Sequence, residues 1–176
     1  NRVLGAGTAD RVGAGFWSTG SYALVDLDGF VIADNTANAR GGGIFNSGVS
    51  VIHLANGTIA NNRGGDRGGG IYQESNASRM FLTNVTVSGN QSGRNADGTV
   101  QQIDEHGGGI YASASQITID GSTSTVMNNT ATGNGGGIYL QRSNAAITDC
   151  IISNNTAPQQ NGGGISCGNM SSPAIV

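Results

Sequence analysis

The feature that most constrains this chain is a four-residue phrase, Gly-Gly-Gly-Ile, that returns at nearly constant intervals. The phrase ends at Ile44, Ile71, Ile110, Ile138 and Ile165, so successive copies lie 27, 39, 28 and 27 residues apart. A degenerate copy, Gly13-Ala14-Gly15-Phe16, precedes the first. A second anchor keeps step: Asn35, Asn62, Asn90, Asn129 and Asn155 stand 9 or 10 residues before the next Ile, except in the long repeat. Three residues before each Asn is an aliphatic residue, namely Ile32, Ile59, Val87, Val126 or Ile152. A fixed period of this length means stacked units, none of which can bury its apolar face alone.

Helix is a poor candidate for the unit, because glycine triplets, β-branched pairs and Asn-Asn steps all disfavour it. Short alternating runs such as Phe81-Leu82-Thr83-Asn84-Val85-Thr86-Val87, bounded by turn residues, read as strands. Each repeat offers about three such runs. The expected fold is therefore all-β: a right-handed, single-stranded parallel β-helix of about six rungs of roughly 27 residues, forming one segment over residues 1–176. Equivalent residues of successive rungs then stack ~4.8 Å apart, and every position of the repeat becomes a ladder.

Three apolar ladders follow. The Ile residues of the glycine phrase make one, and Ile32, Ile59, Val87, Val126 and Ile152 make another. Leu27, Leu54, Leu82 and Ile147 make the third, with Ile119 expected to be slipped by two residues. The Asn anchors read as turn residues bonded to backbone groups or to the Asn above and below. Where Thr-Ala follows the Asn, a tight corner with a small inward residue is expected. The glycine triplets read as a corner needing positive φ or close rung-to-rung approach, not as a phosphate loop.

Pairing Gly-Gly-Gly-Ile with aliphatic-x-x-Asn, as in Ile32-Ala33-Asp34-Asn35 and Ile59-Ala60-Asn61-Asn62, resembles the repeats of the chlamydial polymorphic outer membrane proteins. Those repeats carry Gly-Gly-Ala-Ile/Leu/Val and Phe-x-x-Asn; here the third Gly replaces Ala, and Ile or Val replaces Phe. The resemblance covers nearly the whole chain. It implies an extracellular or cell-surface β-helix, often adhesive, in autotransporter-like or other giant secreted proteins. Leu4 through Ala9 fits the second anchor, with Gly7-Thr8-Ala9 replacing Asn-Thr-Ala, so the segment is expected to be a fragment of a longer solenoid with flanking repeats as partners.

Other functions find little support. The net charge is −3, all eight basic residues are Arg, and no basic cluster suits nucleic acid. No apolar run is long enough to span a bilayer. Asp26 and Asp28 share a strand face, but no acidic neighbours stack above them at 54–56, so the chain is not expected to be an enzyme. No metal or cofactor site is expected, and Cys150 and Cys167 read as buried free thiols. The function that fits is a non-catalytic repeat segment with a structural or adhesive role in a surface protein or filament, meeting other surface proteins or glycans. The alternative is a carbohydrate-binding or polysaccharide-cleaving β-helix, lyase, hydrolase or tailspike-like.

Three surface features are candidates. Trp17, Phe45, Tyr72, Tyr111 and Tyr139 each follow the first residue of a strand at the glycine phrase; with Ile inward they point outward as an aromatic stripe. Mutual stacking is the simpler role for it, and a binding stripe for a glycan or partner chain the functional one. The long repeat carries an inserted loop at 91–106, made polar by Asp97, Asp104, Glu105 and His106. Asn-x-Ser/Thr sequons include Asn56, Asn84, Asn128 and Asn154, in outward pairs, and Asn90, which its ladder position should protect.

Overall fold

The computed structural model describes residues 2–4, 8–9, 15–94, 99–100 and 105–176. The chain coils into four parallel sheets built from one short strand per rung, the second sheet lacking a strand from the last rung, with no helix among the described residues. The first sheet stacks Arg2–Leu4, Val31–Ala33, Thr58–Ala60, Thr86–Ser88, Ser124–Met127 and Cys150–Ser153. Thr8–Ala9, Thr36–Ala37, Arg63–Gly64, Gln91–Ser92 and Thr130–Ala131 form the second. Next comes the sheet of the glycine phrase: Phe16–Ser18, Ile44–Ser47, Ile71–Glu74, Ile110–Ser113, Ile138–Gln141 and Ile165–Gly168. The fourth holds Ala23–Asp28, Ser50–Ala55, Arg79–Thr83, Gln116–Asp120, Asn144–Ile147 and Ala174–Ile175. Six strands in the first sheet correspond to five full turns between first and last.

The rung thus has four strands, where the sequence suggests three. The extra strand is the two-residue corner after each Asn anchor, too short to show a period of its own. Its second residue faces inward and is small in every described rung: Ala37, Gly64, Ser92 and Ala131 are buried. Parallel strands need a crossover connection. Here each crossover is the rest of the rung, so no helix is required.

The register matches the ladders read from the sequence. Ile44, Ile71, Ile110, Ile138 and Ile165 pair in line, as do Ile32, Ile59, Val87, Val126 and Ile152. The third ladder needs a correction: Ile119 is not slipped but pairs directly with Leu82 and Ile147. The two additional residues lie after it, in the turn 121–123, where the Ser124 amide donates to the Gly121 carbonyl at 2.8 Å. A further inward ladder, Val25, Ile52, Met80, Ile117 and Ala145, runs two residues earlier on the same strands. Most of these side chains merge into one aliphatic core.

Both thiols are free. Cys150 packs half-buried against the core, but Cys167 is exposed, contrary to expectation. It pairs with Leu140 in the last strand of its sheet, and nothing covers it there.

Candidate functional site

Each glycine triplet does two jobs. In Gly68-Gly69-Gly70 the first residue has φ +66°, where a side chain is strained. A methyl group on Gly70 would lie 2.6 Å from the Gly109 carbonyl oxygen and 3.0 Å from the side-chain amide of Asn90. The glycine corner therefore abuts the Asn corner, which is why the two anchors keep step.

The Asn anchors form a continuous hydrogen-bonded column. The Asn62 Oδ1 accepts from the backbone N–H of Asn35 at 3.0 Å and from its Nδ2 at 2.9 Å. Asn90 accepts in the same way from Asn62, Asn129 from Asn90, and Asn155 from Asn129, all at 2.9–3.0 Å. The second Nδ2 hydrogen goes to a carbonyl, that of Ile32 for Asn62 and Ile59 for Asn90, at 3.0 Å in both cases. Each amide thus satisfies buried backbone groups at a corner where the sheet ladder cannot reach them. Its role in the described rungs is structural.

The aromatic residues do lie in one column outside the aliphatic core. Phe45, Tyr72, Tyr111 and Tyr139 stack with ring centroids 5.2, 5.1 and 5.6 Å apart. Four of the five are nevertheless buried, Tyr72 and Tyr111 to 1% exposure, and only Trp17 at 55% is open to solvent. An exposed stripe is therefore not what the fold presents. The cover comes from the residue preceding each triplet, which reaches over the ring of the next rung. Arg40 lies 5.2 Å from the Tyr72 centroid, Arg67 lies 5.4 Å from that of Tyr111, and His106 stacks on Tyr139 at 4.3 Å. The phenols are also engaged: Tyr72 donates to Glu74 at 2.7 Å and Tyr111 donates to Gln141.

A charged cluster joins this cover to the inserted segment. Arg40 pairs with Asp66 at 3.1 Å, and Arg67 lies 3.5 Å from Asp66 and 3.3 Å from Glu105. In the interval 91–106, Gln91–Ser92 continues the second sheet and Arg94 bridges antiparallel to Val100. Asp97 and Asp104 lie outside the described residues. Glu105 is 6% exposed, and its backbone carbonyl accepts from the Gly133 amide at 2.7 Å. Burial, reinforced by the hydrogen bond and negative charge of Asp66, pushes the Glu105 carboxyl up to about 8. Burial opposes ionisation of Asp66 as well, but hydrogen bonds from Glu105 and Arg40 and the charges of Arg67 and Arg40 hold it below the usual carboxylate range. Burial and the neighbouring Asp66 charge thus favour the protonated form of Glu105, with the Arg67 guanidinium beside both acids.

This arrangement has a pH signature. An acid whose folded pKa is raised binds more protons folded than unfolded between the two values, so stability falls as pH rises through that window. Glu105 should make the chain lose stability from about pH 5 to about pH 8, on the order of a few kcal/mol. Chemical denaturation across this range should show the decline, and Glu105→Gln should flatten it. An unchanged slope in the variant would refute the assignment.

The sequon pairs fall on two left-handed corners. Asn56 and Asn84 have φ +51° and +55°, and Asn128 and Asn154 have +56° and +54°. Asn56, Asn128 and Asn154 are exposed and Asn84 is half-buried, whereas Asn90 is fully buried with its amide committed to the ladder. Made in a eukaryotic secretory host, the chain should carry sugar at the exposed sequons and none at Asn90. Peptide mass mapping before and after deglycosylation checks this.

The acidic pair Asp26 and Asp28 is tied to the rung above it. Asp26 lies 2.7 Å from His53 Nδ1, and Asp28 accepts from Asn56 Nδ2 at 2.8 Å.

With this geometry in view, the family model described as "Right handed beta helix region" matches residues 12–176. The chain belongs to the right-handed β-helix family. No curated protein and no solved structure matches it. Membership in the β-helix family accounts for the coil, the parallel sheets and the repeat.

Proposed function

We propose that this β-helix is a non-catalytic repeat segment of an extracellular or cell-surface protein or filament, with a structural or adhesive role. The observation that carries this reading is how the conspicuous side chains are spent. The Asn anchors, Tyr72, Tyr111, Tyr139, Arg40, Arg67 and Glu105 are all committed to holding rung on rung. A hydrolase or lyase instead needs carboxylates or a cation poised over a groove for substrate. The pairing of Gly-Gly-Gly-Ile with aliphatic-x-x-Asn supports kinship with the polymorphic outer membrane protein repeats. Partners on this reading are other surface proteins, glycans and further repeats.

Two assays test it. Antibody to the chain should label intact source cells, and labelling only after permeabilisation would overturn the location. Incubated with a panel of neutral and acidic polysaccharides, the chain should release neither reducing ends nor unsaturated uronides. Turnover of any of them would make it an enzyme.

A further inference from the structure

The residue that precedes each glycine triplet forms a column of its own, occupied in turn by Arg40, Arg67, His106, Asn134 and Asn161. Backbone bonds keep it in register. The amides of Gly41, Gly68, Gly107 and Gly135 donate to the carbonyls of Arg67, His106, Asn134 and Asn161 at 3.0–3.1 Å. At its upper end side chains join the column as acceptors. The Asn161 amide donates to Asn134 Oδ1 at 2.9 Å, and the Asn134 amide donates to His106 Nδ1 at 2.8 Å. Successive rungs thus do one job with two different acceptors, an imidazole nitrogen and a carboxamide oxygen.

The two acceptors differ in how they respond to acid. A carboxamide oxygen accepts at any ordinary pH. An imidazole accepts at Nδ1 only while that nitrogen carries no proton, so the bond from Asn134 fixes His106 as the neutral ring with its proton on Nε2. The imidazolium has two donors and no acceptor, and would set an Nδ1–H against the Asn134 N–H. Histidine is also the side chain whose charge ordinarily changes between about pH 5 and 8.

Among the described residues, the titratable and charged groups on the elements around His106 are Glu105, Asp66, Arg67, Arg94, Tyr139 and, next to Tyr139 in the stack, Tyr111. Arg67 holds the same place one rung below, so a proton on the ring adds charge beside a guanidinium. Glu105, its carboxyl pushed up to about 8, is largely protonated where a histidine titrates and lends little counter-charge. Asp66 is already held by Arg40 at 3.1 Å and lies 3.5 Å from Arg67. Attraction to the Tyr139 face favours a charged ring but cannot restore the lost acceptor. The bond lies where the long repeat rejoins the stack: the Glu105 carbonyl accepts from the Gly133 amide at 2.7 Å and from the Ser92 hydroxyl at 3.2 Å.

We propose that His106 is an acid-sensitive latch, which when neutral clamps the returning end of the long repeat to the rung above through Asn134, and when protonated lets it go. The joint between Asn134 and Asn161, one rung on, is indifferent to acid. Because the Glu105 contribution to stability runs in the opposite sense, the latch is read locally at Asn134. It does not depend on the surface-repeat role, and the two fail separately.

Titrating the whole ¹⁵N-labelled chain from about pH 7.5 to about pH 5 tests it. At the upper end, the two-bond ring couplings of His106 should report the Nε2–H tautomer. As the ring titrates, the Asn134 amide proton should shift with the same midpoint. Its exchange, corrected for the intrinsic effect of pH, should quicken about ten-fold. His106→Asn supplies the acceptor used one rung on, and should leave the chain folded and Asn134 protected across the range. His53, the other histidine, is bonded to Asp26 on the fourth sheet, and His53→Gln should leave the Asn134 response intact. An Nδ1–H tautomer at neutral pH, an Asn134 amide that ignores the titration of the ring, or an equal response in His106→Asn would overturn the proposal.

Discussion

Gly69→Ala is expected to cost about 3 kcal/mol or more, enough to remove much of the stability of an ordinary domain. The methyl group would land on the Gln91 carbonyl carbon and oxygen and 2.5 Å from the Gly108 carbonyl oxygen. All three are backbone atoms of the next rung, and that rung is pinned at this corner. The Gln91 amide donates to the Asn62 carbonyl at 2.9 Å, and the Gly70 amide donates to those of Gly108 at 3.2 Å and Gly109 at 3.1 Å. No flexible side chain can yield, so relief requires opening the rung spacing and breaking these bonds. Gly20→Ala serves as the control. Its methyl group meets nothing closer than the Ala23 Cβ at 3.7 Å, and the change should be nearly neutral. Urea denaturation of the two variants against the parent measures the difference. Equal midpoints would mean that the rungs do not approach as closely as described.

Asn90→Ala is expected to destabilise by roughly 3–5 kcal/mol, because several buried groups lose a partner at once. The Asn90 side chain accepts from the amide and the Nδ2 of Asn62, and donates to the Ile59 carbonyl and to Asn129. Removing it orphans the Asn62 donors and the Ile59 carbonyl in a corner closed to water. Asn90→Asp should be no better. It keeps acceptors for Asn62 but brings a buried charge and cannot donate upward. Asn84→Ala, at an outward corner, removes only a 3.4 Å bond to Asn56 and one from Thr123, and should cost about 1 kcal/mol.

Much of the fold is legible in the sequence because a solenoid repeats its physics every rung. One misaligned Ile would be ambiguous, but five in step with five Asn leave little freedom for the register. What is not legible is whatever depends on contacts between different positions of neighbouring rungs. The two-residue strand after each Asn shows no alternation to read. The cover over the tyrosines comes from a position occupied in turn by Arg40, Arg67 and His106, so no repeated residue type announces it. Strand alternation rightly places the rings outside the aliphatic core, but it is blind to a neighbour one rung away reaching across them. Glu105 reads as a polar loop residue, yet it is buried because Asp66 and Arg67, 38 or 39 residues earlier, meet it there. The Ser115 hydroxyl, buried and unpaired among the described residues, is invisible in one dimension, since Ser50, Ser78 and Ser143 occupy the same place in neighbouring rungs.

The central claim is that one continuous Asn column locks successive rungs together, and hydrogen exchange of the side-chain amides tests it most directly. The Nδ2 hydrogens of Asn62, Asn90 and Asn129 should exchange only with global unfolding, while those of exposed Asn76 and Asn144 exchange at the rate of free asparagine. Fast exchange at Asn62, Asn90 and Asn129 in the folded chain would contradict the account.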